Sequence, residues 1–172
     1  AEIFSVFGEI AHPSTAGWDA LEVRAIPGWG ASWRNVNDPA VAPEGLAYGQ
    51  LVGDQAWHRV DFDWGTPQDL SGFTTLKLRF KGSALIDQNG LKVQLGDRTA
   101  HWSTADYPQT IRVVPGPAGT WTEVTILLSA TTPNLANART LRIQANLRYN
   151  QTGQGNYVGP FSFELDDVRF ER

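Results

Sequence analysis

The chain has no cysteine and no methionine. Disulfide staples, thiolate metal sites and a cysteine nucleophile are therefore excluded. It has no long apolar run, so no segment is suited to cross a membrane as a helix. It also lacks a basic excess. Lys and Arg number 14 against 18 Asp and Glu, a net charge of −4, which leaves no electrostatic footprint for nucleic acid. No stretch of about twelve residues carries a 3.6-residue apolar period, so the reading contains no long helix. Nor does any internal repeat, low-complexity tract or linker divide the 172 residues, which are read as one domain, 1–172, large enough to bury its own core. Ala1 stands without an initiator methionine or a charged-then-apolar leader, as expected of a processed chain or a domain of a larger protein.

What is abundant is tryptophan, with 7 residues, and turn formers, with 17 Gly and 10 Pro. That pairing points to short strands. Period-two alternation follows. Val60, Phe62 and Trp64 alternate with Arg59, Asp61 and Asp63. Leu76, Leu78 and Phe80 alternate with Lys77, Arg79 and Lys81. Leu91, Val93 and Leu95 do so with Lys92, Gln94 and Gly96, and Leu141, Ile143, Ala145 and Leu147 with Arg142, Gln144, Asn146 and Arg148. Each run reads as a strand with one buried face. Val124–Leu128 and Phe161–Phe170 add two more, and Leu46–Val52 and Thr110–Val114 are weaker. Turn signals such as Gly65-Thr66-Pro67 and Asn89-Gly90 separate them, and Asn134–Ala138 fits one helical turn. The first 44 residues alternate weakly; Ile3–Phe7 is a candidate strand there, and His12–Glu44 reads as a long loop.

About eight or nine strands at this spacing predict an all-β fold, a two-sheet antiparallel β-sandwich of jelly-roll type. In the jelly-roll order one sheet holds B (Leu46–Val52), I (Phe161–Phe170), D (Leu76–Gly82) and G (Glu123–Leu128). The other holds C (Trp57–Trp64), H (Leu141–Tyr149), E (Leu91–Asp97) and F (Thr110–Val114). The outer face of this second sheet then collects Arg59, Asp61, Asp63, Lys92, Gln94, Thr110, Arg112, Arg142, Gln144, Asn146 and Arg148. Trp57, Trp102, Tyr107 and Tyr149 fall at or near the strand ends, with His101 beside Trp102. Trp29 and Trp33, in a glycine-rich stretch, either flank the sheet or pin the loop by burying their rings. Amides, guanidinium groups and carboxylates meet sugar hydroxyls, and aromatic rings pack on pyranose faces. The plainer reading is a solvated outer sheet face.

Four segments, in order, resemble those of jelly-roll carbohydrate-binding modules. They are Gly65-Thr66-Pro67-Gln68-Asp69-Leu70-Ser71-Gly72-Phe73-Thr74-Thr75-Leu76, Gly90–Asp97 after Phe80-Lys81-Gly82, Trp121-Thr122-Glu123-Val124-Thr125-Ile126, and Phe163-Glu164-Leu165-Asp166-Asp167-Val168-Arg169-Phe170. The likeness spans residues 57–170. It implies non-catalytic binding of a polysaccharide, of β-glucan or mannan type, by an accessory domain of a secreted glycoside hydrolase or lyase. A covalently attached catalytic domain and an extracellular location belong to the same expectation.

Asp166-Asp167 interrupts an alternating strand, which calls for a bulge or a cation. The resemblance implies a structural calcium where the closing strand meets the N-terminus, with Asp166 as its ligand; Glu2 and Glu9 near the first strand, and less so Glu22, are candidate partners. Calcium takes carboxylate and carbonyl oxygens. The alternative to pure binding is a small glycan-active enzyme, hydrolase or lyase. Glu164-x-Asp166 offers the two carboxylates that a retaining glycosidase needs, although the acid that would complete a Glu-x-Asp-x-x-Glu strand, Glu171, is two positions too far. His12, His58 and His101 show no metal spacing and no triad.

Overall fold

The computed structural model describes residues 2–8, 23–28, 30–83, 90–98, 111–113, 117–145 and 157–172. Eleven strands run through them in the order β1 (Ile3–Phe7), β2 (Arg24–Pro27), β3 (Ser32–Asn37), β4 (Ala47–Gln55), β5 (Arg59–Gln68), β6 (Thr75–Gly82), β7 (Leu91–Gly96), β8 (Ile111–Val113), β9 (Thr122–Leu127), β10 (Ala138–Ala145) and β11 (Tyr157–Glu171). One turn of 3₁₀ helix, Leu135–Asn137, precedes β10. Among the described residues no helix is long and apolar enough to cross a membrane.

The strands form two antiparallel sheets. Sheet A has the order β3-β4-β11-β6-β9, with β1 pairing along part of β11; sheet B has the order β2-β5-β10-β7-β8. The expected partition of B, I, D and G from C, H, E and F is therefore present, as a β-sandwich. Two elements read as loop, β2 and β3, extend the sheets as edge strands. Their sequences, Arg-Ala-Ile-Pro and Ser-Trp-Arg-Asn-Val-Asn, are short and largely exposed, so little apolar alternation marks them.

The apolar half of each alternating strand is buried between the sheets: Val60, Phe62 and Trp64 from β5, Leu76, Leu78 and Phe80 from β6, and Leu141, Ile143 and Ala145 from β10. Aromatic rings bridge the two sheets across this layer. Trp64 of sheet B meets Phe4 edge-on at 5.3 Å and Phe170 at 6.4 Å, and its indole N–H donates to the Ala138 carbonyl at 2.9 Å. Elsewhere Phe7 and Trp33 of sheet A pack on Phe62 of sheet B, each at 5.7 Å. Edge-to-face packing of this kind adds to the area that each ring buries.

Strand β11 carries a phase change. Phe161, Phe163 and Leu165 face the core, and so do Val168 and Phe170. Odd positions point inward before Asp166 and even positions after it. The register against β6 shifts between Asp166 and Arg169, and Asp167 adopts φ 47. One extra residue in a bulge flips the parity of everything beyond it. The acidic pair is that bulge. It is also where the neighbouring strand changes: β4 pairs with β11 as far as Leu165, and β1 takes over from Val168.

Candidate functional site

Pairing on sheet B fixes the outer face in three cross-strand rows. Arg24, Asp63, Thr140 and Gly96 make the first. Ile26, Asp61, Arg142 and Gln94 make the second. Arg59, Gln144, Lys92 and Arg112 make the third. The sequence reading treated this face as open. In the structure Asp61, Asp63, Gln94 and Arg142 are buried, none more than 8% exposed, although they project away from the core. Arg59, Lys92 and Gln144 are half-buried and form the accessible end.

A buried polar face must be internally paired, because an unpaired charge away from water is costly. Arg142 grips Asp61 in a fork, Nε to Oδ1 at 2.9 Å and Nη2 to Oδ2 at 3.1 Å. Arg59 approaches the same carboxylate with Nε at 3.5 Å from Oδ2 and donates Nη1 to the Trp57 carbonyl at 3.2 Å. Gln144 donates Nε2 to the Ala56 carbonyl at 2.9 Å. Asp63 Oδ1 accepts from Arg139 at 3.1 Å and from the Gly65 amide at 2.8 Å. Asp63 Oδ2 is buried with no hydrogen-bond partner among the described residues. A donor entering the face would satisfy it.

Trp57 stands at the head of the third row, half-exposed on the turn where the chain crosses from sheet A to sheet B. His58 holds that turn. Its Nδ1 accepts from the amides of Asp54 at 3.0 Å and Gln55 at 3.2 Å, and its ring meets Trp57 edge-on at 4.6 Å. Gly53 makes room for the imidazole: a Cβ there would lie 2.6 Å from Nδ1. The histidine that the sequence left without a role thus buttresses a candidate ligand residue.

Trp33 is placed differently. It lies on β3 of sheet A, turned inward against Phe7 and Phe62, where it lines a cavity of about 390 Å³ with Val23, Ala25 and Arg34. Alternation along β3 sends its ring into the sandwich, away from the sheet B face. Trp29, His101, Trp102, Tyr107, Thr110, Asn146, Arg148, Tyr149, Glu9 and Glu22 lie outside the described residues.

The bulge builds a separate acidic corner. Asp166 is fully buried. Its Oδ2 accepts from the Glu44 amide at 3.0 Å and its Oδ1 from the Asp167 amide at 2.9 Å. Burial pushes its carboxyl up to about 6, against the lowering by those two amides; the charges of Glu44 and Asp167 add to the rise. A Glu44 carboxylate oxygen occupies the space that a side chain at Gly8 would need. Glu44, Gly8 and Asp166 therefore converge, beside a cavity of about 130 Å³ lined by Phe7, Asn35 and Tyr48 among others. Asp166 lines this cavity and the Glu44 carboxylate lies close by at Gly8, oxygen donors of the kind a hard cation takes. Among the described residues no group of three acidic or histidine side chains gathers to hold one. The expected partner Glu2 is not at this corner. It sits at the far end of β1 with its carboxylate on Arg172, six extended residues from Gly8, roughly 20 Å. Antiparallel pairing of β1 with β11 sends it there. Glu44 stands at this corner instead, on a Pro-Glu-Gly loop that no sequence signal marked.

No family model matches the chain, and no curated protein matches it in sequence. Solved structures do share its fold. The K2 cleaved adhesin domain of Lys-gingipain matches with a TM-score of 0.55 at 16% identity, over 99% of this chain and 98% of that one. A family 29 carbohydrate-binding module complexed with mannohexaose matches at 0.52 and 9% identity, over 98% of this chain and 89% of that one. The family 11 carbohydrate-binding module of a cellulosomal cellulase from Clostridium thermocellum matches at 0.51 and 14%, over 88% of each chain. The chain has the β-sandwich fold of carbohydrate-binding modules. Adhesin domains share that sandwich, so the choice of function rests on the site.

The fork between Arg142 and Asp61 is the internal brace of this face. Arg142→Met should destabilise the protein by about 3 kcal/mol, by removing the closer of the two guanidinium partners of a buried carboxylate. The double variant Asp61→Leu with Arg142→Met should recover most of that loss. Urea denaturation of the three proteins checks it; a single variant as stable as the parent would show that the pair carries no structural weight.

Proposed function

We propose that this chain binds a polysaccharide without turning it over, along the outer face of sheet B. The observation that carries the reading is the third row. Arg59, Gln144 and Lys92 lie side by side on three adjacent strands, half-exposed, with Trp57 at one end. Amide, guanidinium and ammonium groups in a line match the repeating hydroxyls of an extended glycan, and an indole edge or face at the end of the line packs on a pyranose ring. The buried rows beneath fix the geometry in advance, which lowers the entropic cost of binding. Likeness in fold to a module solved with mannohexaose supports the ligand class.

A neutral chain, β-glucan or mannan, fits best. The Asp61–Arg142 and Asp63–Arg139 pairs cancel their own charge, and Arg59 and Lys92, the cations of the accessible row, can serve neutral hydroxyls through hydrogen bonds. An extracellular setting and an attached catalytic domain whose substrate this domain targets complete the proposal. A catalytic role for Glu164 and Asp166 is disfavoured by their surroundings. Asp166 is fully buried with both oxygens occupied by amides, and the pair lies on sheet A, the opposite sheet from the proposed groove.

In affinity electrophoresis against glucans, mannans, xylans and galactans, at least one neutral polymer should retard the protein. The expected Kd is about 10 μM to 1 mM, as for a shallow site competing with water. Lys92→Ala should weaken retardation, and the effect should change little between roughly 0.05 and 0.5 M salt. Retardation by none of the polymers, or release of reducing ends from any of them, would defeat the reading.

Calcium belongs to the same proposal as a structural ion, held by Asp166 and Glu44 and tying the start of β4 and the end of β1 to the bulge. At a hundredfold excess over Kd a ligand bound only to the native state stabilises by about 2.7 kcal/mol. Added calcium should therefore raise Tm by several degrees and a chelator should lower it. Asp166→Asn should lose that response and Glu2→Gln should keep it. A melting curve indifferent to calcium and chelator would remove the ion from the account.

A further inference from the structure

We propose a second sugar site on the outer face of sheet A, on the opposite side of the sandwich. It shares with the sheet B reading only the class of ligand. The register of four adjacent strands aligns Arg34, Gln50, Glu164 and Lys81. Arg34 Nε donates to Gln50 Oε1 at 2.9 Å, and Gln50 Nε2 donates to Glu164 Oε1 at 3.1 Å. Glu164 is only 9% exposed on a face that points to solvent. The chain of donors orients its carboxylate and leaves Oε2 to act as an acceptor.

Lys81 does not close on this carboxylate. Its ammonium lies over two rings instead, 5.6 Å from the centre of Tyr48 and 5.2 Å from that of Trp121. The rings meet edge to face at 5.3 Å. Trp121 Nε1 is buried with no hydrogen-bond partner among the described residues. A buried indole N–H without an acceptor is rare.

Beside these groups is a hollow of about 400 Å³ lined by Lys81, Ser83, Gly119, Ser162 and Glu164 among others. That lies at the small end of the range for ligand sites, roughly 300–1,000 Å³. Its floor is backbone already paired: Gly119 N–H to Gly82 at 2.9 Å and Ser83 N–H to Ser162 at 3.0 Å. What remains for a ligand is one carboxylate, one ammonium and serine hydroxyls. One negative and one positive group cancel, so a charged ligand gains no net attraction. A hydroxyl can donate to Glu164 and accept from Lys81 at once. The occupant that fits is a neutral pyranose of a glycan chain. Two sites on opposite faces would let one domain bridge two polysaccharide chains, with the gain in avidity that bivalency brings.

The test is an NMR titration of ¹⁵N-labelled protein with mannohexaose, cellohexaose and xylohexaose in turn. At least one should move the amides of Gly82, Ser83, Gly119 and Ser162 and the Trp121 indole N–H, on an isotherm separate from that of the sheet B amides of Arg59, Gln94 and Gln144. Glu164→Gln should weaken the sheet A isotherm at least tenfold and leave the sheet B isotherm unchanged. Lys81→Met serves the same purpose if that variant does not fold. Sheet B amides that respond while the hollow stays silent would overturn the second site and keep the first. A response confined to the hollow would keep the second site and defeat the first. Silence at both, or an isotherm at the hollow that ignores both variants, would overturn the second site.

Discussion

Everything in this sandwich hangs on the closing strand. β11 runs for 15 residues and pairs with β6 along one edge and with β4 and then β1 along the other. One strand thus joins the chain's beginning, middle and end into a single sheet. Its apolar residues fall at odd positions before Asp166 and at even positions after it, so a strand of unbroken alternation would turn one set away from the core. The bulge at Asp166-Asp167 resolves this by shifting the parity, so that Phe163 and Leu165 before it and Val168 and Phe170 after it all reach the core. The cost is a left-handed Asp167 and a buried carboxylate at Asp166. The backbone amides of Glu44 and Asp167 offset part of that cost, and a cation bound beside Asp166 would offset more.

The same separation of roles organises the two faces. Between the sheets the contacts are apolar and aromatic. Outside sheet B the contacts are polar yet buried, and they are paired in a fixed pattern: Arg142 with Asp61, Arg139 with Asp63, Gln144 with the Ala56 carbonyl. Such a network adds little net stability compared with an apolar surface of the same shape. Its value is positional. It orients Arg59 against Asp61 and Gln144 against the Ala56 carbonyl, the pre-organisation that the proposed binding row calls for.

Alternation made the central strands legible, because a half-buried strand must alternate and a turn must break the pattern. The same rule predicted which residues share the sheet B face. It could not predict that Asp61 and Arg142 would be buried partners, since alternation says which way a side chain points and nothing about what lies over it. β2 and β3 were hidden because edge strands bury little, and Trp33 accordingly read as a loop residue when its ring belongs to the Phe7–Phe62 cluster. Glu44 and Tyr48 were missed for a different reason. Their roles arise from contacts with residues more than a hundred positions away or from a ring on another strand, and no local spacing records such a meeting. The acidic pair in β11 was visible as a break in the pattern, and the structure shows the break as the bulge itself.

The account stands most directly on where a sugar sits. A crystal structure of the protein soaked with the oligosaccharide of the polymer that retards it would show this. The prediction is a glycan chain across β5, β10 and β7, within hydrogen-bond distance of Arg59, Gln144 and Lys92 and against the ring of Trp57. A glycan bound only at the rim of the sandwich, with those four side chains untouched, would contradict it.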